Sequence, residues 1–310
     1  MSESNKKDEE TPEEILEKYK KAGKIAAECL SYGAKQIKVG NSIKEILDAV
    51  EKKIISLESK PAFPAQISLN SAAAHQCSSL DDTTELKEGD LVKIDIGTHI
   101  DGYIGDNAIT VDLSENEKNK ELIKASRDAL NNALKKTAIG IKIRDIGKEI
   151  EQTIESYGFR PVRNLTGHGL DKFTVHTKPT MPNYDNGDES TLKKGMIVAI
   201  EPFATNGVGL IHEKGEPTVF QIISEKQTRN MIARDVLKEI NTCENLPFAQ
   251  RWIARKFGTN KANYGISQLL REGIIKDYPP LVEVQGGLVS QSEHTIYVDD
   301  KVIILTKEEF

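Results

Sequence analysis

The chain has 310 residues, 38 % hydrophobic and 29 % charged, enough apolar side chains for one large core or two modest ones. Lys and Arg number 42 against 48 Asp and Glu, and a formal charge of -6 makes an extended polyanion such as DNA a poor partner. Cys29, Cys77 and Cys243 are widely spaced and form no C-x-x-C pair, so neither a disulfide framework nor a thiolate zinc site follows and a reducing compartment is expected.

The first ten residues, MSESNKKDEE, hold no apolar run that could serve as a signal segment and are expected to be disordered. No later run approaches the ~20 apolar residues of a membrane span, so a cytoplasmic protein without membrane association is expected. Structured chain should begin at Thr11, which can cap a helix, with Pro12 at the first helical position and Glu14 completing a capping box. Ile15, Leu16, Tyr19, Ile25, Ala26, Cys29 and Leu30 then trace a helical stripe. A second amphipathic stretch carries Ile43, Ile46, Leu47, Val50 and Ile54, and similar helices are expected from Glu117 to Lys136 and from Ile143 to Tyr157.

The recurrence is in register. Gly40, Ile43, Ile46, Val50, Glu51 and Ile54 match Gly140, Ile143, Ile146, Ile150, Glu151 and Ile154 at a constant offset of 100. LKEGDLVKIDI at 86–96 aligns with LKKGMIVAIEP at 192–202, so the chain reads as an internal duplication. Each copy places an acid at the end of a buried strand, Asp95 in one and Glu201 in the other. A second acid precedes a β-prone run, Asp106 in GDNAITV and Glu293 in SEHTIYV. The acids lie 11 residues apart in the first copy and 92 in the second, which implies an insertion. The inserted segment, about 207–282, holds several short helical stretches and reads as a winged-helix-like subdomain with a packing or pocket-forming role. It mixes acids with its bases, so specific nucleic-acid binding does not follow.

Carboxylates inside buried strands are costly unless they are paired or bound to a cation. If the duplication is a pseudo-symmetry, Asp95, Asp106, Glu201 and Glu293 converge about one axis, and two divalent ions would balance their charge. His168, between glycines in TGHGL, is the best fifth ligand. Carboxylate and imidazole ligands without thiolate suit Mn, Fe, Co or Zn alike.

At these residues the chain resembles the type II methionine aminopeptidases of archaea and eukaryotes. The likeness runs from about residue 11 to the C-terminus, through KIDIGTHIDGYIGDNAIT, TGHGL, IEPFAT, QSEHTI and PAFPAQISLNSAAAH. It implies an α+β pita-bread fold with a pseudo-two-fold axis, in one catalytic domain over 11–310 carrying the type II insertion. It further implies that Asp95 binds one metal, His168 and Glu201 the other, and that Asp106 and Glu293 bridge them. Glu201 would also shuttle a proton. His176 would stabilise the tetrahedral intermediate, and His75 would contact the substrate beside the cleaved bond. Phe63, Val175 and Pro247 would wall the methionine pocket, leaving room for only a small second residue. The implied partners are nascent polypeptide N-termini, met by a monomer at the ribosome. His99, His212 and His294 are read as structural. One departure stands at the mouth, where HQCSSLDD replaces a His-Tyr-Thr-Pro-like run and puts Cys77 in place of a polar neighbour, most simply as a packing residue.

Two rivals share the fold. Prolidase or X-Pro aminopeptidase uses the same ligands, but this chain shows no separate N-terminal domain and has the insertion. A metal-free pita-bread binding protein is the non-enzyme alternative, disfavoured because all five ligands are present.

Overall fold

The computed structural model describes residues 10–114 and 116–307. Helix α1 (Pro12–Ala34) opens with the expected capping box, the Thr11 side chain accepting from Glu14 N–H while the Glu14 carboxylate accepts from Thr11 N–H. Helix α2 (Ile43–Ser56) follows, then strands β1 (Lys60–Pro61), β2 (Gln66–Leu69), β3 (Ala72–Ala74), β4 (Leu91–Ile100) and β5 (Tyr103–Asp112). The second copy repeats this as α3 (Glu117–Lys136), α4 (Ile143–Ser156), β6 (Arg160–Pro161), β7 (Thr166–Asp171), β8 (Thr174–Pro182), β9 (Ile197–Ile200) and β10 (Phe203–Thr205).

Between that point and its last strands the second copy carries β11 (Ile211–Glu213), β12 (Val219–Ile222), α5 (Met231–Ile240), β13 (Phe248–Ala249), α6 (Gln250–Phe257), α7 (Thr259–Arg271), β14 (Ile275–Tyr278) and β15 (Leu281–Glu283). The chain then returns through β16 (Val289–Gln291), β17 (His294–Tyr297) and β18 (Ile303–Ile304). Helices α5, α6 and α7 pack a core of their own around Val236, Phe248, Ile253 and Leu269, backed by the antiparallel order β13-β12-β14.

The duplication extends to backbone hydrogen bonds. Gly40 N–H donates to Leu86 C=O and Gly140 N–H to Leu192 C=O, both at 2.8 Å. Both glycines have positive φ, 86° and 82°, which lets the chain turn sharply into the second helix of each pair. Ala62 N–H reaches Gly97 C=O and Val162 N–H reaches Phe203 C=O, both at 2.9 Å. Apolar stripes of α1 and α2 cover β2 and β4 through Ile46, Val50, Ile67 and Ile94, and those of α3 and α4 cover β9 and β17 through Ile146, Ile150, Val198 and Ile296. All eight of these side chains are buried, and each removes apolar surface worth about 1.5–3 kcal/mol from water.

Residues 1–9 of the segment expected to be disordered lie outside the described residues, and Glu10 is held by several partners. Its carboxylate accepts from the Tyr103 hydroxyl at 2.6 Å, from Lys172 at 2.9 Å and from Lys18. Two ammonium groups and a phenol fix an acid that composition alone left free. Among the described residues, no helix is long and apolar enough to cross a membrane.

Candidate metal centre

The two halves meet at their acid-bearing strands. In the β4–β5 hairpin Asp95 pairs with Ala108 and Gly97 with Asp106, so the two aspartates lie diagonally on one face of the ribbon. In the second half the register on either side of a break, His294 with Ile200 and Phe203 with Gln291, sets Glu293 opposite Glu201. Glu293 N–H then donates to Ala108 C=O at 2.9 Å, which ties the second pair of acids to the first. His168 on β7 pairs with Ala199, two residues before Glu201.

One ligand atom each from Asp106, His168 and Glu293 lies within 4.8 Å of the others. His168 Nε2 is 3.5 Å from Glu201 Oε1 and 3.8 Å from Asp106 Oδ2. Asp95 faces the same cavity, of about 220 Å³, which all ten residues singled out from the sequence line. His75, Phe63, Val175, His176 and Pro247 complete that set; the His176 ring stands 4.5 Å from that of His168, near perpendicular. Phe63 can lie beside Asp95 because Gly97 has no side chain; a Cβ there would sit 2.2 Å from the ring. His99 Nδ1 accepts from Gly102 N–H and His294 Nδ1 contacts the Thr306 hydroxyl, away from the cavity lining, and His212 is exposed on β11.

Electrostatically the cluster favours a cation. Burial first, and mutual repulsion second, push the Asp106, Glu201 and Glu293 carboxyls well above the usual carboxylate range. Burial raises Asp95 to about 7. Burial also lowers His168 to about 3, so its imidazole is neutral and free to ligate. Asp95 Oδ1 and Asp106 Oδ1 are buried without any hydrogen-bond partner. Orphaned anionic oxygens, a neutral imidazole and no thiolate fit a divalent cation, and they would be expensive for a fold that never bound one.

Three residues at the site escaped the sequence reading. Gln291 is fully buried, and its amide donates to Glu293 Oε2 at 3.3 Å and to Glu201 Oε2 at 3.5 Å, while also lowering Asp95. Its signal was a strand amide two residues before Glu293. Gln66, paired with Asp95 across the sheet, accepts the His75 N–H at 2.8 Å and holds that residue at a positive φ of 62°. Tyr278, from β14, meets the His75 ring edge-on at 5.3 Å, and nothing in its local sequence announces this. Cys77 is buried, with its Sγ 2.6 Å from the Arg251 guanidinium and its thiol raised by desolvation.

The chain matches the model of metallopeptidase family M24 over residues 17–266. It is 46 % identical over 289 residues to the methionine aminopeptidase of Archaeoglobus fulgidus, covering 93 % of this chain and 97 % of that protein. The crystal structure of the methionine aminopeptidase of Thermotoga maritima superposes with a TM-score of 0.71 at 28 % identity, over 96 % of this chain and 98 % of that one. A thermophilic Arx1 structure superposes with a TM-score of 0.83 at 17 % identity, over 94 % and 90 %, and shares the fold alone.

Proposed function

Because the chain belongs to metallopeptidase family M24 and, with the methionine aminopeptidases, removes N-terminal methionine from nascent proteins, we propose how its cavity does so. Asp95, Asp106, His168, Glu201 and Glu293 would together hold two divalent ions, of Co, Mn, Fe or Zn, with Asp95 at one end of the cluster, His168 and Glu201 at the other, and Asp106 and Glu293 between them. The observation that carries this is the pair of buried, unpartnered oxygens on Asp95 and Asp106. When bound, such ions supply Lewis acidity to the scissile carbonyl and a seat for the substrate's α-amine.

The protein's own groups do the rest. Glu201 accepts the proton of the attacking water and returns it to the leaving amine, a role suited to a carboxyl raised by its surroundings. Desolvation and the charge of Lys276 lower His176, so it meets the substrate as a neutral N–H donor to the carbonyl oxygen as charge develops. His75, with its Nδ1 unpartnered, contacts the peptide beside the cleaved bond. Phe63, Val175 and Pro247 wall the methionine side chain, and the closed rim admits a small second residue. In this reading residues 11–310 are one catalytic domain and about 207–282 the type II insertion, in a cytoplasmic monomer that works on chains leaving the ribosome.

Hydrolysis of Met-Ala-Ser beside a Gly-Pro dipeptide, with added Mn or Co and with calorimetric counting of ions, tests the reading. Release of methionine with two ions bound supports it. Prolidase activity alone, or a metal-indifferent protein, overturns it.

A further inference from the structure

The wall of the cavity continues outward along β14. Tyr278 lines the cavity, and Lys276, two residues earlier on the strand, projects to the same side of the sheet. Its Nζ lies 4.6 Å from the centroid of the Tyr278 ring, a cation–π contact that holds the side chain against that cavity-lining ring. Lys276 is exposed, its cross-strand partner Gln221 is neutral, and Asp277 alternates to the other side. The distances from His75 to Tyr278 and from Tyr278 to Nζ, laid end to end, put the ammonium at most about 10 Å from the His75 ring, or about three extended residues. Its field reaches the interior, since it contributes to lowering both His75 and His176.

A peptide whose first bond lies between those histidines and whose chain runs out along Tyr278 passes within reach of the Lys276 ammonium. We propose that Lys276 is a specificity-determining residue that favours methionyl chains carrying Asp or Glu at the third to fifth positions. The proposal rests on the aminopeptidase reading of the cavity. An acid there pairs with the ammonium in a solvated setting, so the preference is modest, about two- to five-fold in kcat/KM, and screened by salt.

The test compares C-terminally amidated Met-Ala-Ser-Asp-Asp, Met-Ala-Ser-Lys-Lys and Met-Ala-Ser-Gln-Gln on the metal-loaded full chain, Lys276→Gln and Lys276→Glu. The acid-to-base ratio of kcat/KM is taken within each protein, so a general loss of activity cancels. The expected result is a ratio of about two to five at low salt that shrinks at high salt, falls to about one in Lys276→Gln and inverts in Lys276→Glu. A ratio that neither substitution changes overturns the proposal while leaving methionine removal intact. Failure of the unsubstituted chain on the Gln-Gln peptide overturns both.

Discussion

The Thr295 hydroxyl and the Asp106 backbone satisfy each other twice: Oγ1 accepts the Asp106 N–H at 2.8 Å and donates to the Asp106 C=O at 2.7 Å. Thr110 does the same for Gln291, at 2.8 Å in both directions. Where the acid-bearing strands of the two halves abut, threonine side chains thus stand in for a backbone ladder. Thr295→Val keeps the shape and strands two buried backbone groups beside a proposed bridging ligand. We expect a loss of about 2 kcal/mol in denaturant unfolding and weaker metal retention. Unchanged stability would show that the strand needs no such clasp.

Gln291 is the amide donor shared by Glu201 and Glu293. Its donation to one oxygen of each carboxylate leaves the other free to face a cation. Gln291→Leu should weaken Mn affinity by about 10- to 100-fold in calorimetric titration, as losses of such supporting partners do. An unaltered affinity would mean that the acids hold their orientation without it.

His176→Ala should lower kcat by about 10²- to 10³-fold and move KM little, because its hydrogen bond strengthens as the carbonyl gains charge. Asp106→Ala and Glu293→Ala should abolish turnover outright, each removing a proposed shared metal ligand. Steady-state kinetics on Met-Ala-Ser separate the two behaviours, and a pure KM effect in His176→Ala would remove it from the chemistry.

Metal-free stability should fall as pH rises above about 6.5. The Asp95 carboxyl, raised to about 7, and those of Asp106, Glu201 and Glu293, pushed well above the usual carboxylate range, keep protons that the unfolded chain has already released, so the folded state is the one penalised by further deprotonation. Below 6.5 the depressed imidazoles of His75 and His168 act in the opposite sense, because the unfolded chain binds their protons first. Melting temperatures of chelator-treated protein between pH 6.5 and 9 check this. Added Mn should flatten the decline, since the ions take the place of protons.

The same glutamate has two different fates in the two copies. Glu51, buried, pairs with the fully buried Arg251 of α6 and accepts from Trp252 Nε1 at 2.8 Å, whereas Glu151 meets the half-exposed Arg163. Glu51→Ala should cost about 3–5 kcal/mol by removing the carboxylate paired with the buried guanidinium of Arg251. Glu151→Ala should cost no more than about 1 kcal/mol. Equal losses in chemical denaturation would contradict the assignment of Arg251 as the anchor of the α5–α7 segment.

The duplication, the helices, the capping box at Thr11 and the acids were legible in the linear chain, because helical periodicity and a recurring motif are local signals. So was His168, whose flanking glycines and residue type suggested a ligand. What the chain could not display is contact across long separations. The Thr295 clasp spans 189 residues and the Arg251 anchor 200, and neither leaves a trace in spacing or composition. Gln291 and Lys276 read as ordinary strand residues until the fold placed one against the acids and the other over the Tyr278 ring. Sequence alone determined which groups this protein carries and that they come in two related sets. Tertiary structure decided which oxygens are left without partners, because desolvation and hydrogen-bond satisfaction belong to the packed arrangement and to no single segment.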